Sequence, residues 1–417
     1  MSAKPASPVT DTRPAKVPFI GLPSLMRMAM KGLDLTPLGL RLIEYVKLNS
    51  AAAESFLDIA TIFQLKRNRE FALSMQAEAL KMQQIYRQPA TVNPVAVRVL
   101  AIMGPGDLMA NTPVEFLVED SDVELDMLYV GPGIPFPAEL PECDLIFVAI
   151  GESDHNRPLL EQVDRLIADW PQPVLNRPKR ISQLARDDAC ALLKPVDGIV
   201  MPTTRRVDRE QLEGVARREL PMTALLDDGD FPVIVRPIDS HAGQGLMKVE
   251  TSAALADYLG QHDDAALYVS RFVEYRNTDG LYRKYRIVLI QGRPYVCHLA
   301  LSRHWMVHYL NAEMLDNPEN REEEARFMAN FDDTFAVKHQ AAFHEIHLRT
   351  GLDYVGIDCG ETADGTLLIF EIDSNMIVHA LDPVDIFPYK QPQMQKVFAA
   401  FREMLIRALT IPYAEQR

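Results

Sequence analysis

The spacing of apolar side chains predicts a helical segment near the start of the chain. Between residues 35 and 87, large and small apolar residues recur at i, i+3, i+4 and i+7, as at Phe56, Ile59 and Phe63. This spacing places them on one face of a helix. Two short amphipathic helices leave apolar surface to be covered, so we expect the segment to pack on the rest of the chain or on a second copy of it.

After residue 94 the pattern changes to short apolar runs that alternate with helix-like segments. The runs at 97–103, 127–130 and 145–150 are each followed by a glycine. Such alternation predicts a parallel sheet covered by helices. The loops after parallel strands lie on the ligand side of an open sheet. Residues 104–107 and 151–156 are therefore candidate substrate loops, with plain turns as the alternative.

From about residue 200 the apolar runs come in neighbouring pairs, which predicts antiparallel strands. The pairs are 233–236 with 245–249, 286–290 with 295–301, and 354–359 with 366–372. Gln291-Gly292 and Asp364-Gly365 supply tight turns in the last two pairs. Paired antiparallel strands with a few helices make an α+β domain, and an amphipathic helix at 393–409 ends it.

Composition limits the classes of function. The 417 residues suggest two or three domains, and 47% hydrophobic with 24% charged residues is an ordinary globular composition. The net charge of −15 argues against a general affinity for nucleic acid or an anionic membrane. Four widely spaced cysteines without a CxxC pair predict reduced thiols. Because the first sixteen residues contain no apolar signal segment, we expect a cytoplasmic protein.

These patterns divide the chain into four regions. Residues 1–20 are rich in Pro, Ser, Ala and Thr, which is typical of a disordered tail. The predicted helical unit covers 21–94, the parallel-sheet domain covers 95–200, and the α+β domain with its final helix covers 201–417.

The strongest chemical signal lies in the last strand pair. Asp358 and Glu371 are equidistant from the Asp364-Gly365 turn, so they face each other if the strands pair across it. Asp373 shares a sheet face with Glu371. Three carboxylates on one face repel each other unless something neutralises them. Hard oxygen ligands suit Mg²⁺ bound to phosphate, and a solvated acidic hairpin is the alternative.

Two other predicted strands of this acidic protein carry cations. Arg236 ends the run 233–236, and Gly243 and Gly245 follow it, a combination of cation and close backbone N–H groups that suits phosphate. Arg286 alternates with apolar residues in the next strand pair, where burial is expected. A polyanionic ligand would explain it, and a salt-bridged surface is the alternative.

These pieces in this order, over roughly residues 97–390, resemble the ATP-grasp superfamily, which includes D-alanine–D-alanine ligase, glutathione synthetase and biotin carboxylase. The resemblance implies a fold of class α/β and α+β: a helical N-terminal unit, a Rossmann-like pre-ATP-grasp domain and a two-lobed ATP-grasp domain. The helical unit resembles a single tetratricopeptide helix–turn–helix, as in bacterial tetratricopeptide-containing ATP-grasp proteins. An ordinary helix pair is the alternative.

The resemblance also implies roles for single residues. Arg236 stands where the family usually has Lys, which keeps the charge and changes the geometry of phosphate contact. The adenine hinge falls on 270–273, and the ribose acid is either Glu274 or Asp279. Asp373 stands where the family has Asn, with Asn375 as the alternative. The implied magnesium ligands are Asp358, Glu371 and Asp373. The implied cofactor-binding residues are Arg236, Gly243, Gly245, Arg271, Phe272, Val273 and Glu274.

Two more segments match the family in position. In the family, a cation on the helix that ends near residue 193 contacts phosphate. In this sequence that residue is Arg186 or Lys194, or the contact is absent. The segment after the cationic strand pair lies where related ligases reach the transferred phosphate and the acceptor. The predicted catalytic residues are Arg286, Arg303, His304 and His308. For His304 and His308, structural histidines or a pair of metal ligands on a helix are the alternatives.

The hypothesis from the sequence is an ATP-dependent carboxylate–amine ligase that uses Mg²⁺, or alternatively Mn²⁺, and forms an amide through an acyl phosphate. Its partners would be a small-molecule carboxylate and an amine, without nucleic acid or membrane, and a homodimer would cover the lone helical unit. Two alternatives stay open: an ATP-grasp kinase acting on a small molecule, and a non-catalytic nucleotide-binding regulatory protein.

Overall fold

A computed structural model describes residues 17–240, 243–308 and 312–410, and the chain divides into two compact units between Gln84 and Ile85. Most of the predicted tail at 1–20 lies outside the described residues. The first unit is helical and consists of α1 (Gly21–Met30), α2 (Thr36–Leu48), α3 (Ala53–Leu65) and α4 (Arg69–Met82).

The apolar faces of these helices form the core of the first unit. Leu25 of α1, Leu42 of α2 and Ile59 of α3 are buried together, as the helical spacing predicts. The buried Asp58 of α3 accepts hydrogen bonds from the Ile20 and Gly21 N–H groups, both at 2.9 Å, and so caps the start of α1. The likeness to a tetratricopeptide unit stays a prediction.

The helical segment ends earlier than the predicted boundary at residue 94. Strand β1 (Ile85–Gln88) already belongs to the second unit, where it pairs with the strand at 123–129. The side chain of Tyr86 in β1 is fully buried. A four-residue strand at the edge of a sheet is too short to show a period-two pattern, which explains the difference.

The first sheet of the second unit is mostly parallel, as predicted. Its other strands are β2 (Val97–Met103), β3 (Val123–Tyr129), β4 (Leu145–Val148) and β5 (Val174–Leu175), in the order β1-β3-β2-β4-β5. Only the pairing of β1 with β3 is antiparallel within this sheet. The accompanying helices are α5 (Val114–Leu117), α6 (Arg157–Ile167), α7 (Pro178–Ile181) and α8 (Arg186–Leu193).

The second sheet is antiparallel and smaller. After the short strand β6 (Ile199–Val200), it is built from β7 (Thr204–Asp208), β8 (Val233–Pro237), β9 (Met247–Val249) and β10 (Ala266–Arg271), in the order β7-β10-β8-β9. Val207, Val235 and Val269 form its apolar side together with helices α9 (Arg209–Ala216) and α10 (Ser252–Leu259).

The third sheet contains both predicted hairpins. Its long strands are β11 (Tyr282–Ile290), β12 (Arg293–Ser302), β13 (Tyr354–Glu361) and β14 (Leu367–Asp373), and β6 completes the order β12-β11-β13-β14-β6. Gln291 and Gly292 make the first turn with φ of 49° and 77°. The remaining helices are α11 (Pro318–Asn330), α12 (Phe335–Lys338), α13 (Gln340–Thr350) and α14 (Lys390–Ala408).

The second unit is therefore α/β in its first sheet and α+β in the other two, which confirms the predicted fold class. Phe401 of α14 contacts Phe147 of β4 and Tyr354 of β13, with ring centroids 5.5 and 5.4 Å away, and so joins the first and third sheets. The four cysteines are free thiols. Over the described parts of the chain, every helix is too short or too polar to cross a membrane.

Candidate functional site

A row of charged side chains crosses one face of the third sheet. His298 of β12 lies opposite Arg286 of β11, Arg286 lies opposite Asp358 of β13, and Asp358 lies opposite Glu371 of β14. Side chains of directly opposed residues project from the same face. The register thus confirms that Asp358 and Glu371 face each other, as their distances from the turn predict.

Two cations hold the Asp358 carboxylate. Arg286 donates to both of its oxygens, from Nε to Oδ1 at 2.8 Å and from Nη2 to Oδ2 at 2.9 Å. Lys284 Nζ adds a bond to Oδ2 at 2.9 Å. Burial alone would raise the pKa of Asp358, but the charges of Arg286 and Lys284 outweigh burial and hold the pKa well below its ordinary value. One anion with two cations leaves a net positive charge here.

Glu371 is paired with an arginine from α8. Arg186 Nη2 donates to Glu371 Oε1. Burial opposes the ionisation of Glu371, but the charges of Arg186 and Arg236 lower its pKa. Of the two residues left open by the sequence, Arg186 reaches the charged row. Lys194 instead donates to Thr203 Oγ1 at 2.5 Å and lies 3.3 Å from Asp228 Oδ2.

Asp373 lies two residues further along β14 and is 9% exposed. Burial and the neighbouring Glu371 raise its pKa to about 7. Asn375, the alternative to Asp373, faces another way: its Nδ2 donates to Met109 O at 2.5 Å. A Cβ atom added to Gly151 would lie 2.0 Å from the same Nδ2. Asn375 therefore packs between Gly151, the first residue of the candidate loop at 151–156, and Met109, which lies just after the candidate loop at 104–107.

The carboxylates differ in their ability to hold a metal ion. The described residues contain no group of three or more His, Cys, Asp or Glu side chains arranged to bind one. Both oxygens of Asp358 are bonded to cations. Glu371 Oε2 and Asp373 Oδ2 accept no hydrogen bond within the described part of the chain, and two carboxylates with phosphate suit Mg²⁺. Glu371 and Asp373 fit such an ion, and the role of Asp358 as a third ligand stays a prediction.

Arg236 organises the loop that follows β8. It is 7% exposed, and its Nε donates to Ser240 Oγ at 3.0 Å, while Nη2 donates to Ser240 O. Burial, and after it the charge of Arg186, lower the pKa of Arg236 to about 10. Gly245 has a φ of 66°, and a Cβ atom there would lie 2.7 Å from the Pro237 ring, so the loop needs this glycine. Gly243, with a φ of 75°, is likewise in the left-handed region.

The predicted hinge lies at the end of β10. The Phe272 ring contacts Trp305 edge-on at 5.9 Å, and Lys248 Nζ lies 4.0 Å from the Phe272 centroid. Arg271 Nε lies 3.8 Å from Asp228 Oδ2, and Val273 is half-buried against the main apolar core.

Both candidate ribose acids already have a cationic neighbour. Glu274 Oε2 accepts from Arg276 Nη2 at 3.4 Å, and Asp279 accepts from Arg283 Nη2 at 2.6 Å. The choice between Glu274 and Asp279 therefore stays open.

The segment after β12 is irregular. Arg303 and His304 are exposed, and His308 is half-buried. Because 303–308 is not helical, the alternative of two metal-binding histidines on a helix is wrong. Burial, and after it the charges of Lys284 and Arg286, lower the pKa of His308, which places this imidazole electrostatically near the charged row. The catalytic roles of all three residues stay predictions.

Two residues of the site were not among the predicted ones. Lys284 shares a strand face with Arg286 because the two positions differ by two, so the period of the strand was a usable signal. Lys248 was not predictable in this way. It meets Phe272 only because β9 and the end of β10 flank β8 in the folded sheet.

Comparisons with known proteins give structural matches only. The sequence matches no protein-family model and no curated protein. A RimK domain ATP-grasp protein from Sphaerobacter thermophilus is 17% identical with a TM-score of 0.42, covering 75% of this chain and 100% of that one. D-alanine-D-alanine ligase from Coxiella burnetii is 9% identical with a TM-score of 0.46, covering 75% and 96%. VanG D-Ala:D-Ser ligase from Enterococcus faecalis is 13% identical with a TM-score of 0.45, covering 77% and 100%.

Proposed function

We propose that the protein is an ATP-dependent carboxylate–amine ligase of the ATP-grasp type, which forms an amide through an acyl phosphate. One observation carries the proposal: a partly buried row of cations and carboxylates on the third sheet lies within electrostatic reach of Arg236, which holds the glycine loop of the second sheet. A polyphosphate needs surplus cations, carboxylates that hold its metal ion and close backbone N–H groups. The cations of the charged row, the carboxylates of Glu371 and Asp373, and the loop around Gly243 and Gly245 support such a site.

Each group has a separate task in this proposal. The loop around Gly243 and Gly245 binds phosphate through its backbone, and Arg236 fixes that loop. Arg186, Lys284 and Arg286 neutralise phosphate charge. Glu371 and Asp373 would hold Mg²⁺, or Mn²⁺ in its place, and the bound ion would supply neutralisation of phosphate charge. The hinge at 270–273 binds the base, with Phe272 as one apolar wall.

The proposed reaction needs no nucleophile from the protein. A carboxylate oxygen of the acid attacks the γ-phosphorus, and ADP leaves with the electron pair of the broken P–O bond. The amine nitrogen then attacks the acyl carbon, phosphate leaves, and the nitrogen loses a proton. The chain contributes position and charge stabilisation. Arg303, His304 and His308 are proposed to face the acceptor side of this reaction.

A thermal-shift experiment tests the nucleotide site. A non-hydrolysable ATP analogue with Mg²⁺, at 100 times its Kd, should stabilise the folded protein by about 2.7 kcal/mol. Glu371→Gln should abolish the Mg²⁺-dependent part of the shift. The matched control is Glu322→Gln on α11, where the side chain is 73% exposed. If wild type shows no shift at millimolar nucleotide, the proposed site is wrong.

Product analysis then separates the ligase from its alternatives. With a panel of acids and amines, a ligase releases ADP and phosphate in equal amounts. A kinase would release ADP and a stable phosphoester without free phosphate. A regulatory protein would bind the nucleotide and release neither product.

A further inference from the structure

A carboxylate of the second sheet binds the backbone of a loop that belongs to the first. Asp239 Oδ1 accepts from the Asp154 N–H at 3.0 Å, and Asp239 Oδ2 accepts from the His155 N–H at 3.4 Å. A second link runs alongside, because the Asp154 carboxylate lies 2.5 Å from Arg206 Nη2 on β7. The second sheet and the loop at 151–156 thus contact each other through two hydrogen bonds and one ion pair.

On the side of the second sheet, Asp239 is part of the glycine loop. It lies between Pro237, the last residue of β8, and Ser240, whose hydroxyl and carbonyl oxygens are held by Arg236. Its φ of 56° is in the left-handed region, which aspartate tolerates better than most residues. Any movement of Asp239 therefore moves the segment that would cover the phosphates.

On the side of the first sheet, the loop at 151–156 has a defined shape. Asn156 Nδ2 donates to Gly151 O at 3.0 Å, and the Asn156 N–H donates to Ser153 Oγ at 3.0 Å. Gly151 packs directly against Asn375, two residues after Asp373. The loop thus contacts the segment just after β14 at its first residue and the glycine loop near its last.

From this arrangement we propose that Asp239 is a positioning residue that couples the loop at 151–156 to the glycine loop. Nucleotide bound under the glycine loop then favours the position of 151–156 that Asp239 holds, and an acid substrate at 151–156 favours nucleotide binding by the same factor. Asp239 and His155 are both exposed, so water can replace this contact and the link can open. The inference rests on the proposed function, because it takes the loop around Gly243 and Gly245 as phosphate-binding.

Hydrogen exchange of residues 152–157 tests the coupling on the full chain. Asp239→Gly removes the carboxylate without backbone strain, since glycine accepts a φ of 56°. Asp239→Asn keeps one acceptor oxygen and the same φ. Without nucleotide, Asp239→Gly should exchange about tenfold faster at 154 and 155 than wild type, with Asp239→Asn in between. The control is Asp257→Asn, an exposed position on α10 of the same lobe.

The same samples are then measured with the non-hydrolysable ATP analogue and Mg²⁺. In wild type and Asp257→Asn, nucleotide should slow exchange at 152–157. In Asp239→Gly this slowing should be lost even at an analogue concentration that the thermal shift of that variant shows to be saturating. Unchanged exchange in Asp239→Gly without nucleotide would overturn the contact itself. Nucleotide-induced slowing that survives in Asp239→Gly would overturn the coupling alone. A wild type that binds no analogue would overturn the proposed function, and the coupling with it.

Discussion

Two cross-strand pairs of arginine and aspartate in the second unit have nearly the same geometry. In the first sheet, Arg87 Nε and Nη2 donate to the two Asp126 oxygens at 2.8 and 2.7 Å. In the third sheet, Arg286 makes the same two bonds to Asp358 at 2.8 and 2.9 Å. In both sheets the partners are direct neighbours on antiparallel strands.

Their surroundings differ. Arg87 belongs to an edge strand, and its side chain is 52% exposed against 22% for Arg286. The further charge near Arg87 is Glu124 at 3.6 Å, whereas Lys284 and Glu371 flank the Arg286–Asp358 pair. The first pair is complete in itself, and the second is one part of a larger array of charges. A buried bidentate pair is thus weak evidence for a site, and the charges left over beside it are the stronger evidence.

The largest effect is expected from breaking the inner pair. Asp358→Asn leaves Arg286 and Lys284 without a counter-ion on a buried face, and it should lower the free energy of unfolding by about 3–5 kcal/mol. Urea denaturation at pH 7 measures this change. A loss below 1 kcal/mol would mean that water or another anion reaches the two cations as easily as it reaches Arg87.

A buried carboxylate that has no cationic partner within the described residues gives a third case beside the two arginine–aspartate pairs. Glu115 of α5 is buried, and its Oε2 has no hydrogen-bond partner within the described residues. Burial raises its pKa from 4.5 to about 7. Because the folded pKa is the higher one, folding favours the protonated form, and stability is lost as pH rises from about 4.5 to about 7.

Glu115→Gln should remove that loss. The variant should match wild type near pH 4 and exceed it at pH 8 by an amount on the order of 3 kcal/mol at most. Urea denaturation across this pH range measures the difference between the two proteins, in which the other titrating groups cancel. A difference that does not change with pH would show that the pKa of Glu115 is the same in the folded and unfolded chain.

A smaller effect is expected from breaking the edge pair. Asp126→Asn removes the partner of Arg87, but the half-exposed guanidinium regains water, so the free energy of unfolding should fall by about 1–2 kcal/mol. The stabilisation by ATP analogue and Mg²⁺ should be unchanged. Loss of that stabilisation would mean that the two sheets are coupled and that the edge pair is not an isolated one.

The smallest effect is expected in the fluorescence emission of the two tryptophans. One lies near the hinge at the end of β10, and the other lies beside the first sheet. Trp305 contacts the hinge residue Phe272. Trp170, which lies between α6 and β5, contacts Phe136. In Trp170→Phe, the remaining Trp305 emission should change on addition of ATP analogue. In Trp305→Phe, the Trp170 emission should not change. The opposite pattern would place the nucleotide at the first sheet and not between the second and third.

Much of the fold followed from local patterns. The parallel sheet was predictable from apolar runs that each end in glycine, and the acidic hairpin from the Asp364-Gly365 turn. That turn also fixed which carboxylates oppose each other, since register in a hairpin depends on the turn and on a period of two. The short edge strand β1 was missed, because four residues show no period.

The ion-pair partners of the site residues were harder to predict from the sequence than the strands. Arg186 lies 185 residues before Glu371 in the chain, and the sequence left it as one of two alternatives. Lys284 was visible as a cation on the right face of β11, but nothing in the sequence showed that it would share the carboxylate that Arg286 already holds. The contact of Asp239 with the loop at 151–156 left no signal at all.

By itself, then, the sequence determined which residues share a strand face and which strands form hairpins, because side-chain period and turn conformation depend on neighbours along the chain. Only the tertiary structure decided that Asp358 is held by two cations, that Glu371 meets Arg186, and that Glu371 and Asp373 each have an oxygen that accepts no hydrogen bond within the described residues. Electrostatic pairing acts through space and depends on burial, so it is settled only when distant segments have packed together.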